Sequence, residues 1–409
     1  MEVLGNAVRE QRLNRSSAEL KEPRIGFVSL RSPHDRKSWS GTNYQLFRAL
    51  QRVFNDVVFV EMPRTRLMER IGGLVNRVKS FLGDHGEVIQ SVPMSTLYGR
   101  EYRKAILKAR CDVVFAPAAS TEIAYLNSPV PVVYLTDTTF EAMVDYYYPK
   151  SEVHAVSHWQ ANNIERRALN RSAAVIFSND WAMKSAVEHY HADIRKMSVI
   201  PFGANLDNVP PAGELNRGSN DGVCRMLLVG RDWKRKGGQI ALDAFNLLVE
   251  KYGDSKFELT IVGCAPSKPV ERPGLTVIPH IDKNKPGGLE RIEGLYRNAD
   301  IFLLPTQAEC SAVAFCEAAA YGLPVVTTDT GGTATIVIDG ITGSLLPVES
   351  GPEQFAAKID ALWRDPNLVN MRAQARQRYD EMLNWNSWAS KTREIILQVL
   401  KGSKASQEM

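Results

Sequence analysis

The chain has 409 residues, more than one ordinary core organises, so two domains are expected. Hydrophobic residues make up 44% and charged residues 23%, a globular balance, and 50 basic against 46 acidic residues leave a net charge of +4. That near-even balance gives no ground for nucleic acid as a partner, and none is expected.

Five cysteines (Cys111, Cys224, Cys264, Cys310 and Cys316) lie scattered through apolar runs with no C-x-x-C pair. This argues against a disulfide framework or a structural zinc, and for a reducing compartment. The opening "MEVLGNAVREQRLNRSSAELKEP" is polar and lacks the apolar core of a signal peptide. No apolar run approaches the roughly 18 residues that cross a bilayer. The expectation is a cytoplasmic protein, either free or peripheral on the cytoplasmic membrane face, with a mobile segment over residues 1–22.

In chain order, "RIGFVSL" reads as a buried strand and "NYQLFRALQRVF" has helical spacing. "NDVVFVEM", "CDVVFAPA", "PVPVVYLTD" and "SAAVIFSND" are further β-branched runs separated by helical stretches. Strand alternating with helix predicts a parallel sheet covered on both faces, over residues 23–200. The pattern breaks at the Gly-, Pro- and Asn-rich stretch 201–222, read as a linker. It restarts with "CRMLLVG", "FELTIVG", "LTVIPH", "ADIFLLP" and "LPVVTTD", giving a second domain over 223–375. Residues 376–409 read as a C-terminal helix that crosses back to the first domain. The fold class is therefore α/β, with two doubly wound Rossmann-like domains facing across a cleft.

Competing fingerprints are missing. G-x-G-x-x-G, the P-loop pattern and D-x-D occur nowhere in the sequence, which weakens a dinucleotide cofactor, a P-loop nucleotide and a metal-gripping carboxylate pair.

Three features fall at the ends of expected strands. "VGRDWKRKGG" carries Arg231 and Lys236, a fork and a point charge suited to a diphosphate, or simply a solvated basic turn. "LLPTQAECSAVAFCEAAAYGLPVV" places Glu309 outside a helix expected to begin near Ser311 or Ala312, and Glu317 two turns inside it. At about 1.5 Å rise per residue the two are separated by roughly 8–12 Å, the span from ribose to sugar across a diphosphate. The helix amides face the same region and can receive a phosphate. The plainer reading is a helix-start acid and a surface Glu. Gly331 and Gly332, after "LPVVTTD", let the backbone turn sharply or approach a ligand.

Together, in this order, these features resemble the GT-B retaining glycosyltransferases, in particular glycosyltransferase family 4. The resemblance rests on Gly230-Arg231 with Lys236-Gly237, Glu309 and Glu317, "EAAAYGLPVV", Gly331-Gly332 and the crossover "VIPFGANLD". It covers roughly Val199 to Pro347 and is looser over the N-terminal domain.

The resemblance implies that Arg231 and Lys236 bind the donor diphosphate, that Glu317 takes the ribose hydroxyls, and that Glu309 sits beside the donor sugar. Backbone amides near Ala312 and Val313 complete the phosphate site, Ile281 lies near the base, and Gly41 and Thr42 of "SWSGTNY" face the phosphates. It also implies metal-independent retaining transfer by front-face displacement, with no cofactor and a UDP- or GDP-sugar as donor. The acceptor would be a carbohydrate, a lipid-linked sugar or a small molecule.

The sequence departs from the family at Cys310-Ser311-Ala312, where a G-F-G is usual, and at Thr335, where a Glu is usual. Asp137 stands where many relatives have a His. It either orients an acceptor or donor-sugar hydroxyl or is a turn carboxylate. The altered Ser311, Ala312 and Thr335 keep open a non-catalytic binding protein, and a sugar phosphorylase or an epimerase on the same scaffold is the nearest rival enzyme.

His154 and His158 have helical metal-ligand spacing but no third ligand beyond Glu152, and are read with Trp39 and "DYYYP" as bordering the acceptor cleft. Residues 64–82, basic and amphipathic, read either as a helix packed on its own sheet or as a peripheral membrane contact, the packed helix being preferred.

Overall fold

A computed structural model describes residues 22–36, 38–62, 73, 74, 77, 90–215, 221–282 and 285–407. The N-terminal segment up to residue 21 and nearly all of the basic stretch 64–82 lie outside these residues. No helix among the described residues is long and apolar enough to cross a membrane.

The first sheet has six parallel strands: β1 (Ile25–Phe27), β2 (Val57–Phe59), β3 (Val113–Pro117), β4 (Val132–Thr136), β5 (Ala174–Phe177) and β6 (Met197–Val199). Their order is β2-β1-β3-β4-β5-β6. The helices are α1 (Thr42–Val53), α2 (Val92–Ala109), α3 (Ser120–Ile123), α4 (Phe140–Met143), α5 (Ala155–Arg171) and α6 (Asp180–Tyr190). The strands read as unbroken apolar runs because both faces are covered. Val113, Phe115, Val133 and Leu135 pack with Leu46 and Phe47 on one face. Val114, Ala116, Val132 and Tyr134 pack with Leu97, Tyr98 and Ile164 on the other.

The second sheet holds β7 (Cys224–Val229), β8 (Phe257–Val262), β9 (Leu275–Ile278), β10 (Ile301–Leu304), β11 (Val325–Thr328) and β12 (Gly343–Leu346). Its order is β12-β11-β10-β7-β8-β9, again all parallel. Its helices are α7 (Gly238–Tyr252), α8 (Gly288–Asn298), α9 (Val313–Ala320), α10 (Thr333–Ile336) and α11 (Pro352–Arg364).

The end of the chain differs from the single helix expected over 376–409. There are two helices, α12 (Leu368–Glu381) and α13 (Trp385–Gln407), and the expected boundary at 375 falls inside α12. The break is an N-cap: the Asn384 side-chain oxygen accepts from the amides of Asn386 (3.0 Å) and Ser387 (2.9 Å). From there α13 lies on the first domain, where fully buried Trp388 meets Phe115 edge-to-face at 5.8 Å.

The stretch 201–222, expected as a linker, is packed in its first part. Phe202, Ala204 and Leu206 are buried, and the Ala204 amide donates to the Leu383 carbonyl (3.1 Å). The crossover is thus clamped by the break between α12 and α13.

Candidate functional site

In the second sheet the chain leaves β7 towards β8 and β9, then returns to place β10 on the other side of β7. The crevice beyond the carboxyl ends of β7 and β10 is therefore a topological switch point, where open α/β sheets bind ligands. The loops after these two strands are knitted together there. Gln307 N–H donates to the Arg235 carbonyl (2.7 Å), and Thr306 Oγ1 donates to the same oxygen (3.2 Å). Gly237 has φ +67°, and a Cβ on it would collide with the Pro305 carbonyl, so only glycine permits this approach.

The approach brings opposite charges together. The Lys236 ammonium is ion-paired with Glu309 Oε2, and the two residues are 9% and 7% exposed. Arg235, which the motif reading passed over, lies 3.8 Å from that oxygen and donates to the Ala308 carbonyl (3.0 Å). Arg231 stands exposed on the same loop and has no hydrogen bond or ion pair among the described residues.

Facing this loop, Asp137 follows β4 and is half-buried. Burial above all, and then the charge of nearby Glu309, push its pKa up to about 7, against the lowering effects of a backbone hydrogen bond and one from Trp39. Asp137, Trp39 and Glu309 thus share one cleft. Trp39 (φ 49°), Ser40 (φ 56°) and Gly41 (φ 92°) form a left-handed turn ahead of α1, unfavourable at the two non-glycine positions. Asn205 of the crossover holds it, donating to Ser40 O (3.2 Å) and Thr42 Oγ1 (3.4 Å) while accepting from Trp385 Nε1 (3.2 Å). Gly41 and Thr42 are therefore fastened to the crossover, with Thr42 buried.

Glu317 is buried rather than a surface residue, and accepts a hydrogen bond from the Tyr296 hydroxyl (2.7 Å). Its helix starts at Val313, one or two residues later than expected, behind buried Ala312. The Val313 amide donates to the Ser311 carbonyl (3.0 Å), so it is not free for a phosphate, because the chain turns tightly before the helix. The Val313 side chain instead packs on the N-terminal cluster that contains Phe202. Ile281, beyond edge strand β9, packs half-buried against the C-terminal core.

Both histidines are taken up locally. His158 Nε2 is 3.0 Å from Glu141 Oε2, and His154 Nδ1 accepts from the Val156 amide at the start of α5 (3.3 Å). They fasten α5 and the α4 segment rather than pointing as a pair at a ligand. The described cysteines are buried and free, and burial holds the Cys310 thiol far above its usual range.

The contacts across the cleft were invisible in the local sequence pattern. Ser178 Oγ and Ser311 Oγ are 2.6 Å apart, and Asn179 Nδ2 donates to Ser311 Oγ (3.1 Å). Thr335, the position of one departure, donates to Asp180 Oδ2 (3.0 Å) and accepts from the Asp180 amide (3.0 Å). Tyr146 and Tyr147 reach the amides of Glu309 (2.8 Å) and Cys310 (3.1 Å). Two facing doubly wound sheets with a site at the switch point define the GT-B class.

Solved structures agree with that architecture. A glycosyltransferase from Rickettsia africae ESF-5 superposes with a TM-score of 0.62 at 17% identity, covering 93% of this chain and 99% of its own. The Anabaena protein HepE, in complex with UDP and glucose, gives a TM-score of 0.60 at 13% identity, covering 92% and 100%. Residues 224–365 match the family model described as Glycosyl transferases group 1. The chain has the GT-B fold, and its C-terminal domain is similar to that family over the matched residues. A curated relative, D-inositol 3-phosphate glycosyltransferase of Paenarthrobacter aurescens (strain TC1), is 26% identical over 249 residues. That match takes in 58% of this chain and spans 60% of the relative's length.

Proposed function

We propose that this protein is a glycosyltransferase that moves a sugar, with retention and without a metal, from a nucleotide-diphosphate sugar to an acceptor hydroxyl. The observation that carries this reading is the buried Lys236–Glu309 pair at the switch point, with Arg235 beside it and Asp137 across the cleft. In the reaction, Arg231, Arg235 and Lys236 would offset the charge that develops on the departing diphosphate. Glu309, released from Lys236 by the entering phosphate, would accept hydrogen bonds from the sugar hydroxyls. Glu317, oriented by Tyr296, is the candidate for the ribose. Asp137 would orient the acceptor hydroxyl or a sugar hydroxyl, and the departing phosphate oxygen would take the acceptor's proton in a front-face displacement. Bound geometry is the enzyme's main contribution to such a step.

The donor class proposed is a UDP- or GDP-sugar, and the acceptor a carbohydrate, a lipid-linked sugar or a small molecule. The test is incubation of the purified protein with donor and acceptor panels in EDTA, with the anomeric configuration of product read by NMR. An inverted product contradicts the retaining assignment, and activity restored only by a divalent ion contradicts the metal-free one. A second reading, a non-catalytic sugar-nucleotide binder, is favoured by one observation: Ser311, in the departed motif, is spent on Ser178 and Asn179 rather than facing open space.

A further inference from the structure

The connection that follows Asp137 runs through α4 into a tight excursion, Val144 to Tyr148. Asp145 adopts φ 59°, its amide donates to the Tyr148 carbonyl (2.8 Å), and its carboxylate accepts from the Lys150 amide (2.7 Å). A non-glycine residue held left-handed between two such bonds makes this a shaped loop. Its purpose is visible at the tip, where two consecutive tyrosines reach the other domain.

Tyr146 OH accepts from the Glu309 amide (2.8 Å) and shares a hydrogen bond with Thr330 Oγ1 (2.9 Å). Tyr147 OH accepts from the next amide, that of Cys310 (3.1 Å). The rings are themselves supported, Tyr146 against Trp181 at 4.9 Å and Tyr147 under the Arg235 guanidinium at 5.5 Å. Burial holds both phenols above their usual range, so each remains a neutral hydroxyl able to accept an N–H. On the opposite side, the Glu309 carbonyl accepts from the Gly332 amide (3.0 Å). A Cβ on Gly331 would collide with that carbonyl and with the Tyr146 hydroxyl. The Glu309 backbone is therefore gripped at its N–H by the N-terminal domain and at its C=O by its own glycine loop, with the Tyr146 hydroxyl also donating to that carbonyl at 3.4 Å.

We infer that Tyr146 and Tyr147 are positioning residues for Glu309, seating its carboxylate at the donor sugar only when the N-terminal domain is closed over the site. This rests on the transfer reading for its consequence, but not for its geometry. Because one connection carries both Asp137 and the tyrosines, closure places the acceptor-side carboxylate and fixes the donor-side carboxylate in a single movement. The tyrosines touch no reacting atom. They should affect the turnover of bound donor rather than its capture, which Arg231 and Lys236 would govern.

The test uses the full chain with Tyr146→Phe, Tyr147→Phe and the double variant, which keep both rings and remove only the hydroxyls. The first readout is amide hydrogen exchange of the peptide spanning Glu309 and Cys310. It is expected to accelerate at least tenfold in the double variant while peptides from β7 and β8 are unchanged. The second is transfer kinetics, where kcat is expected to fall at least tenfold with donor KM within about twofold. Unchanged exchange overturns the proposal whatever the kinetics show. Accelerated exchange with unaltered kcat overturns the positioning role. Wild-type protein that transfers from no donor refutes the transfer reading instead, and the exchange result still decides whether the tyrosines hold the segment.

Discussion

Lys236 and Glu309 form a buried ion pair across two loops that follow different strands of the second sheet. Neither partner can be removed cleanly, since each would leave the other charged and enclosed. The ammonium already holds an anion, so on the proposed reading a diphosphate would enter by exchange with Glu309.

Lys236→Ala should therefore abolish most transfer, by about 100-fold or more in kcat, because the leaving diphosphate loses its enclosed cation. Lys236→Arg should recover little, since a planar fork does not replace a point charge in that space. Steady-state kinetics on protein shown to be folded by circular dichroism checks both. Near-normal turnover in folded Lys236→Ala sinks the diphosphate assignment.

Asp137, with a pKa pushed up to about 7, predicts a pH profile. If its carboxylate form orients a hydroxyl, kcat/KM rises about tenfold from pH 6 to pH 8, and Asp137→Asn gives a low, flat profile. The stability sign is opposite. The folded carboxyl binds its proton more tightly than the unfolded one, so the contribution is fully present below the unfolded pKa of about 4 and is lost as pH rises through about 7. Asp137→Asn should thus be more stable than wild type at pH 8, measured by urea unfolding.

The same sign applies inside the N-terminal domain. Buried Glu122 and Glu165 both have pKa values pushed up to about 7, in each case chiefly by burial. Glu165 accepts from the Tyr134 hydroxyl (3.1 Å), and Glu122 lies near Tyr98 and Tyr102. Their stabilising protons are lost between about pH 4.5 and pH 7. Glu165→Gln should flatten the fall in unfolding midpoint over that window, and a midpoint that rises with pH there contradicts the assignment.

Trp388, fully buried against Phe115, ties α13 to the first domain. Trp388→Ala should cost about 3–5 kcal/mol, the usual range for emptying an aromatic site. Unfolding by denaturant checks this, and a loss under 1 kcal/mol would mean that α13 is not part of that core.

The α/β alternation and the two parallel sheets were legible because buried parallel strands are short unbroken apolar runs, as in "CDVVFAPA" and "CRMLLVG". The break before Trp385 was also signalled, by Asn384 as a cap, but the surrounding helical spacing masked it. Lys236 and Glu309 could be singled out because motif spacing is local to each loop. Arg235 was passed over beside a more conspicuous neighbour. Tyr146 and Tyr147 were singled out only within "DYYYP" at the acceptor cleft, and Ser178 and Asn179 not at all, since the partners Glu309, Cys310 and Ser311 lie more than 130 positions away. Only the facing of two domains creates those pairs, and no periodicity encodes it. The departure at Thr335 is explained by the same facing, as its hydroxyl and Asp180 bond across the cleft.

The most direct measurement is calorimetric titration of the wild-type chain, Lys236→Ala and Asp137→Asn with UDP- and GDP-sugars in EDTA. The account predicts saturable binding of at least one donor by wild type, retained within a few-fold in Asp137→Asn and weakened at least tenfold in Lys236→Ala. Folded wild-type protein that binds no donor, or equal binding by Lys236→Ala, would contradict it.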